Sequence, residues 1–166
     1  AVGNPDLKWE TVISSNAGID FRLMGNKLYG SLDYFSIKTT DLIAVDNNLI
    51  GTTAIDASAP LVNIGEVSNS GLELGLNYAD ESSSGFRYDV GFNLSTYKNN
   101  VDSLISQFFT GNTGYRGGAV TRTSVGESMS YFYGRKVKGL DASGRFDYED
   151  VNGDGRINDV DRTKIG

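Results

Sequence analysis

Asn69-Ser70-Gly71-Leu72-Glu73-Leu74-Gly75-Leu76-Asn77-Tyr78 alternates without a fault, with Leu72, Leu74, Leu76 and Tyr78 at every second position and Gly71, Glu73, Gly75 and Asn77 between them. Seven residues, Ala79-Asp80-Glu81-Ser82-Ser83-Ser84-Gly85, separate it from a second run of the same kind. There Phe86, Tyr88, Val90, Phe92 and Leu94 alternate with Arg87, Asp89, Gly91, Asn93 and Ser95. Successive side chains of a strand point to opposite faces, so the two runs form an antiparallel pair with one wholly apolar and one polar face, closed by a short turn. The function depends on whether that apolar face meets a protein core or lipid.

Working outward, Thr11 to Leu23 alternates in the same way: Ile13, Ala17, Ile19, Phe21 and Leu23 lie on one face, while Val12 is the one exception on the polar face. Met24-Gly25-Asn26-Lys27 reads as a tight reversal into a return strand from Leu28 to Thr39. The alternation of that strand is blurred, with Leu28, Leu32 and Tyr34 on one face and Tyr29, Phe35 and Ile37 on the other. Thr40 to Glu66 has weak periodicity and turn-forming residues and is expected to be a long loop. Loops beyond about 12–15 residues are usually functional or disordered. Lys98-Asn99-Asn100 is read as the end of the second hairpin. The rest is expected to be mostly irregular, with short strands at Val120 to Ser124 and Met129 to Val137. The expected fold is therefore all-β, made of antiparallel up-and-down strands with long loops alternating with tight turns.

Composition narrows the function. With 166 residues there is enough chain for one domain with a core. A net charge of −6 with dispersed Lys and Arg argues against nucleic acid as a partner. There is no Cys and no His, which removes thiol chemistry, imidazole triads and the usual zinc ligand sets. No signal-peptide pattern opens the chain, and no apolar run approaches the ~18 residues of a membrane-spanning helix, so a membrane role requires strands. The 21 glycines include several inside strand patterns, where they weaken the strand unless a bulge, bend or close contact uses them.

A soluble β-sandwich would show the same alternation. Three features favour lipid. Thr11 to Leu23 would extend about 40 Å, far more than the usual strand. Aromatic residues cluster beside the tight turns, Phe21 at the first and Tyr78, Phe86 and Tyr88 at the second, with Trp9 a candidate for an opposite girdle. The polar face carries Asp20, Arg22, Glu73, Arg87 and Asp89, which suits a watery lumen. Four strands cannot close a barrel, since the smallest has about 8, so a lipid-facing chain is a piece of one.

An ordered series of short motifs carries more than periodicity does. It consists of Asn4-Pro5-Asp6-Leu7-Lys8-Trp9-Glu10, Gly18-Ile19-Asp20-Phe21, Leu32-Asp33-Tyr34-Phe35, Thr40-Asp41-Leu42-Ile43, Asn63-Ile64-Gly65-Glu66-Val67-Ser68-Asn69-Ser70-Gly71-Leu72-Glu73-Leu74, Phe132-Tyr133-Gly134 and Asp150-Val151-Asn152-Gly153-Asp154-Gly155-Arg156-Ile157. Over nearly its whole length the chain resembles the barrel of SusC/RagA-type TonB-dependent transporters. The resemblance implies a 22-stranded outer-membrane barrel of Gram-negative Bacteroidetes, in which the chain lacks the plug, the TonB box and the terminal strands. It also implies active import of oligosaccharides or peptides, a SusD-like surface lipoprotein as partner, energy from the TonB complex through the plug, and no enzymatic activity. On this reading residues 1–166 are a partial barrel region. Hairpins occupy about 9–39 and 67–97, and a long external loop region at 98–166 carries a calcium-loop motif at 150–161. The alternative is a secreted calcium-binding β-sandwich adhesion or carbohydrate-binding module.

The strongest local motif is Asp150-x-Asn152-x-Asp154-Gly155-Arg156-Ile157-x-x-x-Asp161, whose spacing matches a calcium loop. Asp150, Asn152, Asp154 and Asp161 would ligate Ca2+ by side chain and Arg156 by its backbone carbonyl, with Asn158 acting through water. Without metal the same residues make an Asx-rich turn held by backbone amides. Tyr115, Arg116, Tyr131, Phe132, Tyr133 and Arg135 are either a binding surface or the packing of a folded loop. Glu73 and Asp89 as a glycosidase pair are weighed against lumen carboxylates bonded to Arg87 and Asn93.

Overall fold

The computed structural model describes residues 3–45, 60–112 and 119–166. It divides into two units, Ala1–Ile105 and Ser106–Gly166. The first unit is a four-stranded antiparallel meander: β1 (Thr11–Leu23), β2 (Leu28–Val45), β3 (Leu61–Glu81) and β4 (Arg87–Leu104), hydrogen-bonded in that order. β1 and β2 are joined by residues 24–27, of which Met24, Gly25 and Asn26 have positive φ (54°, 66° and 73°), so the chain reverses within one turn. β3 and β4 are joined by residues 82–86, where the Ser82 amide donates to the Phe86 carbonyl at 2.8 Å.

The two hairpins are thus one sheet, and its strands run well past the expected ends. The segment expected as a loop from Thr40 to Glu66 supplies the last residues of β2 and the first of β3. Its periodicity fails because the pairing slips between Thr39 and Leu42, and again between Leu42 and Ile43, with Asp41 at φ 55°. A bulge adds an unpaired residue and moves the following side chains to the other face, which erases period two without ending the strand. Asn63 fills this irregularity. Its amide donates to the Asp41 carbonyl (2.7 Å) and the Lys8 carbonyl (2.9 Å), and its oxygen accepts from the Lys8 amide (2.9 Å). Asn4 adds a bond to the Leu61 carbonyl at 3.0 Å, so the segment before β1 is clamped along the start of β3. Likewise Lys98-Asn99-Asn100 does not end β4. Asn99 faces Asn69 across the ladder, amide to amide at 2.7 Å, and the strand goes on to Leu104.

The register assembles the faces into cross-strand rows. On one face these are Leu23/Leu28/Tyr78/Val90, Phe21/Gly30/Leu76/Phe92, Ile19/Leu32/Leu74/Leu94 and Ala17/Tyr34/Leu72/Thr96. The next row, Ser15/Ser36/Ser70/Lys98, is polar. On the opposite face the sequence of rows is inverted. Beside the tight turns it carries Arg22, Asp20, Asp33, Glu73, Asn77 and Asn93, and further along it carries Phe35, Ile37, Val67 and Val101. Val67 (4% exposed) and Val101 (0%) are the buried hydrophobic residues among those described. Only the half of each strand next to the tight turns is therefore apolar outward, over about 20 Å of strand. This crossover explains the blurred alternation of β2. It also corrects the expectation for Trp9, which is 90% exposed and lies before β1, outside the apolar band. Tyr34 is the ring at that edge.

Glycine 71 shows what the glycines inside these strands do. A Cβ there would stand 2.1 Å from the Thr96 carbonyl oxygen and 2.7 Å from Cζ of Phe35, whose ring lies over the gap. Gly71→Val is expected to destabilise a full-length protein carrying this segment by about 1–3 kcal/mol, because the obstacle includes backbone. Gly75→Ala, where the nearest atom is 3.5 Å away, should be tolerated. Thermal unfolding of the two variants in detergent makes the comparison.

Candidate functional site

The second unit carries the residues expected to bind. Its sheet runs β10 (Arg162–Lys164), β7 (Tyr131–Arg135), β6 (Ala119–Ser124), β5 (Phe108–Asn112), beside a small hairpin of β8 (Val137–Leu140) and β9 (Phe146–Tyr148). The hairpin was not expected, although Asp141-Ala142-Ser143-Gly144 is a turn signal. Oδ1 of Asp141 accepts from the Ser143 hydroxyl (2.7 Å), the Ser143 amide (2.8 Å) and the Arg145 amide (2.9 Å). These donors, the Ser143 hydroxyl first, hold its carboxyl below the usual range.

The loop at 150–161 is built from its own amides. Asp150 accepts from the amides of Gly153 (2.8 Å), Asp154 (3.2 Å) and Gly155 (2.7 Å). Asn152 accepts from the Asp154 amide at 3.1 Å, and Asp154 from the Arg156 amide at 2.8 Å. Gly153 and Gly155 sit at φ 72° and 77°, which other residues adopt only with strain. Asp161 is fully buried. Its two oxygens accept from the Asn158 amide (2.7 Å) and the Val151 amide (3.1 Å), joining the two ends of the loop. The Asn158 amide, then the Val151 and Asn152 amides, lower its carboxyl against the opposing effect of burial. Asn158, expected to act through water, instead caps the helical turn Asp159–Asp161 by accepting from the Val160 amide at 2.9 Å.

Measured against the expected calcium set, Asp150, Asn152, Asp154, Arg156 and Asp161 lie on one loop, but the side chains of Asp150, Asn152, Asp154 and Asp161 accept from backbone amides. Among the described residues no three Asp, Glu, His or Cys side chains are grouped to hold one metal ion. The geometry has the character of the Asx-rich turn. Of the expected aromatic surface, Tyr115 and Arg116 lie outside the described residues. Tyr131 shares a hydrogen bond with Ser124 at 3.0 Å, and the Tyr133 ring is approached by the guanidiniums of Arg122 (4.4 Å from the ring centre) and Arg162 (5.4 Å). Phe132 is exposed, and Arg135 bonds the Asn158 carbonyl and Asp159, each at 3.1 Å. Arg122 and Arg162 had no signal in the sequence, because strand pairing brings them to Tyr133 from 11 and 29 residues away.

In the first unit, Glu73 pairs in register with Ser95, six residues along β4 from Asp89 and so about 20 Å away. A glycosidase pair needs its carboxyls within about 5–9.5 Å. Arg87 is bound to Glu81 at 2.7 Å, and neither expected bond, from Arg87 or from Asn93, to these carboxylates is found among the described residues.

A sheet with an exposed apolar band on one face, polar residues on the opposite face behind that band, short turns at one end and longer connections at the other is the geometry of an outer-membrane barrel wall. The family model described as "TonB dependent receptor-like, beta-barrel" matches residues 1–164. The chain belongs to this family. TonB-dependent receptor P3 of Formosa agariphila is 31% identical over 98% of the chain and 18% of its own length. TonB-dependent receptor SusC of Bacteroides thetaiotaomicron is 30% identical over 61% of the chain and 10% of its own length. Among solved structures, that of the RagAB peptide transporter superposes with a TM-score of 0.77 at 20% identity, over 99% of the chain and 18% of that one. The matches thus span about a tenth to a fifth of the length of these proteins. The SusC/RagA resemblance, the all-β barrel fold, the outer-membrane location and the non-enzymatic class all agree with the sequence-based expectations. The sandwich alternative does not hold, since Leu72, Phe92 and Leu94 are about half exposed and no second sheet of the first unit covers them among the described residues.

Proposed function

We propose that this TonB-dependent receptor segment is part of the wall of an active importer of oligosaccharides or peptides that works with a SusD-like surface lipoprotein and is driven by the TonB complex through a plug. The observation that carries this reading is the apolar band on one face of β1–β4, in a chain 30% identical to SusC over 61% of its length. The relatives' names extend it, one being SusC and another a peptide transporter. An affinity-tagged full-length receptor should bring down a lipoprotein when purified from outer membranes. Uptake of its ligand by cells should stop when the inner membrane is de-energised. Ligand entry that persists in de-energised cells would overturn active import, and a receptor that purifies alone would overturn the partnership.

We also propose that residues 150–161 take calcium, a reading supported by the order of Asp150, Asn152, Asp154, Arg156 and Asp161 rather than by their present contacts. A cation would recruit the lone pairs that Asp150 and Asp154 do not give to amides. At the Kd of about 10⁻⁴–10⁻³ M found in extracellular sites, calcium should protect residues 149–162 from protease, and Asp154→Ala should abolish the protection. Cleavage that is equal with calcium and with chelator would reject the site.

A further inference from the structure

Within the second unit a cavity of about 280 Å³ is lined by Tyr133, Arg135, Tyr148, Asp159 and Arg162, together with Val120 and Gly134. Its walls are basic and aromatic in a chain of net charge −6. The two arginines differ in how their charge is met. Arg162 donates to the carbonyl oxygens of Ala119 and, at 3.3 Å, Tyr133, and stacks near the Tyr133 ring. These acceptors are neutral, and among the described residues no carboxylate lies within ion-pair distance of Arg162. These bonds, both from Nη2, hold the guanidinium plane in place, and among the described residues no carboxylate neutralises its charge, so it is positioned to attract a carboxylate. Arg135 does pair, with Asp159 at 3.1 Å, but that carboxylate side chain is 84% exposed. An exposed pair of this kind contributes little and yields readily to a competing anion.

We infer that this cleft is a subsite for the carboxylate of an extracellular organic ligand, received by Arg135 and Arg162 with Asp159 as the displaceable occupant of the rim. The volume admits one sugar or amino-acid unit, at the small end of ligand pockets. The carboxylate could come from a sugar acid or from a peptide terminus, and the chemistry recognised is the same. The inference rests on the reading that these loops meet the ligand outside the cell.

The test is calorimetric titration of the full-length receptor in detergent with glucuronate against glucose, and with a free dipeptide against its C-terminal amide. At least one acid should bind about tenfold more tightly than its neutral counterpart, and the tighter acid identifies the source. Arg135→Gln should weaken that acid about tenfold. Asp159→Asn should tighten it, which loss of folding could not produce. Equal binding of acid and neutral forms, no binding of either acid at millimolar concentration, or an affinity unchanged by Asp159→Asn would overturn the subsite. De-energising cells leaves this titration untouched, so failure of the import reading and failure of the subsite are separately visible.

Discussion

Leu74→Arg is expected to destabilise a full-length receptor carrying this segment by about 2–4 kcal/mol, the cost of a charge on the lipid face near the middle of the membrane. Leu74 belongs to the row Ile19/Leu32/Leu74/Leu94, within the apolar band and flanked by apolar rows on both sides. Two comparisons make the result specific. Ser95→Arg, on the opposite face across from Glu73, should cost little because that face is polar and wet. Ser70→Arg lies on the same face as Leu74 but in the row beyond the band, so it should cost about 0–1 kcal/mol, as near an interface. Denaturant unfolding in lipid vesicles gives all three values. Equal penalties at Leu74 and Ser70 would mean that the apolar band does not mark the hydrocarbon.

The second large effect is expected at Asp161. Its carboxylate is fully buried and serves the amides at both ends of the loop, so Asp161→Ala leaves the Val151 and Asn158 amides without their acceptor. Protease cleavage within residues 149–162 should rise about tenfold or more, since local opening sets the rate. Asp161→Asn, which keeps one acceptor oxygen, should fall between the two. Neither change should affect β1–β4, which form a separate unit. The pH dependence follows from the lowered carboxyl. Because the folded value lies below that of the unfolded chain, the stabilisation is fully present above about pH 4 and is lost as pH falls through the folded value. Cleavage should therefore be flat from pH 7 to about pH 5 and increase in acid. A loop as resistant in Asp161→Ala as in the parent would show that the closure lies elsewhere.

In β1, β3 and β4 the apolar residues near the tight turns keep phase for long enough that strand, partner and face can be read from one line of text. The two turns were equally plain, because Gly25-Asn26 and Ser84-Gly85 are residues that reverse a chain at low cost. Reading failed beyond the Ser15/Ser36/Ser70/Lys98 row. There the bulge at Asp41 shifts the phase, and the apolar side chains pass to the other face, so a true strand looks like a loop. At the loop unit, spacing alone matched a calcium loop. Whether Asp161 bonds its own amides or a cation is a question of where a carboxylate points, and spacing carries no such information.

By itself the sequence determined which residues must alternate, where the chain reverses, and that no thiol or imidazole chemistry is available, since these follow from side-chain chemistry and period two. Its motif order was enough to point to the family. Only the tertiary structure decided that two hairpins are one sheet, that its apolar band ends partway along the strands, and that Tyr34 rather than Trp9 marks the edge. It alone brought Arg162 and Arg135 to one cleft. The reason is physical: cross-strand register and the slip at a bulge are set by pairing between residues far apart in the chain, and no local pattern records that pairing.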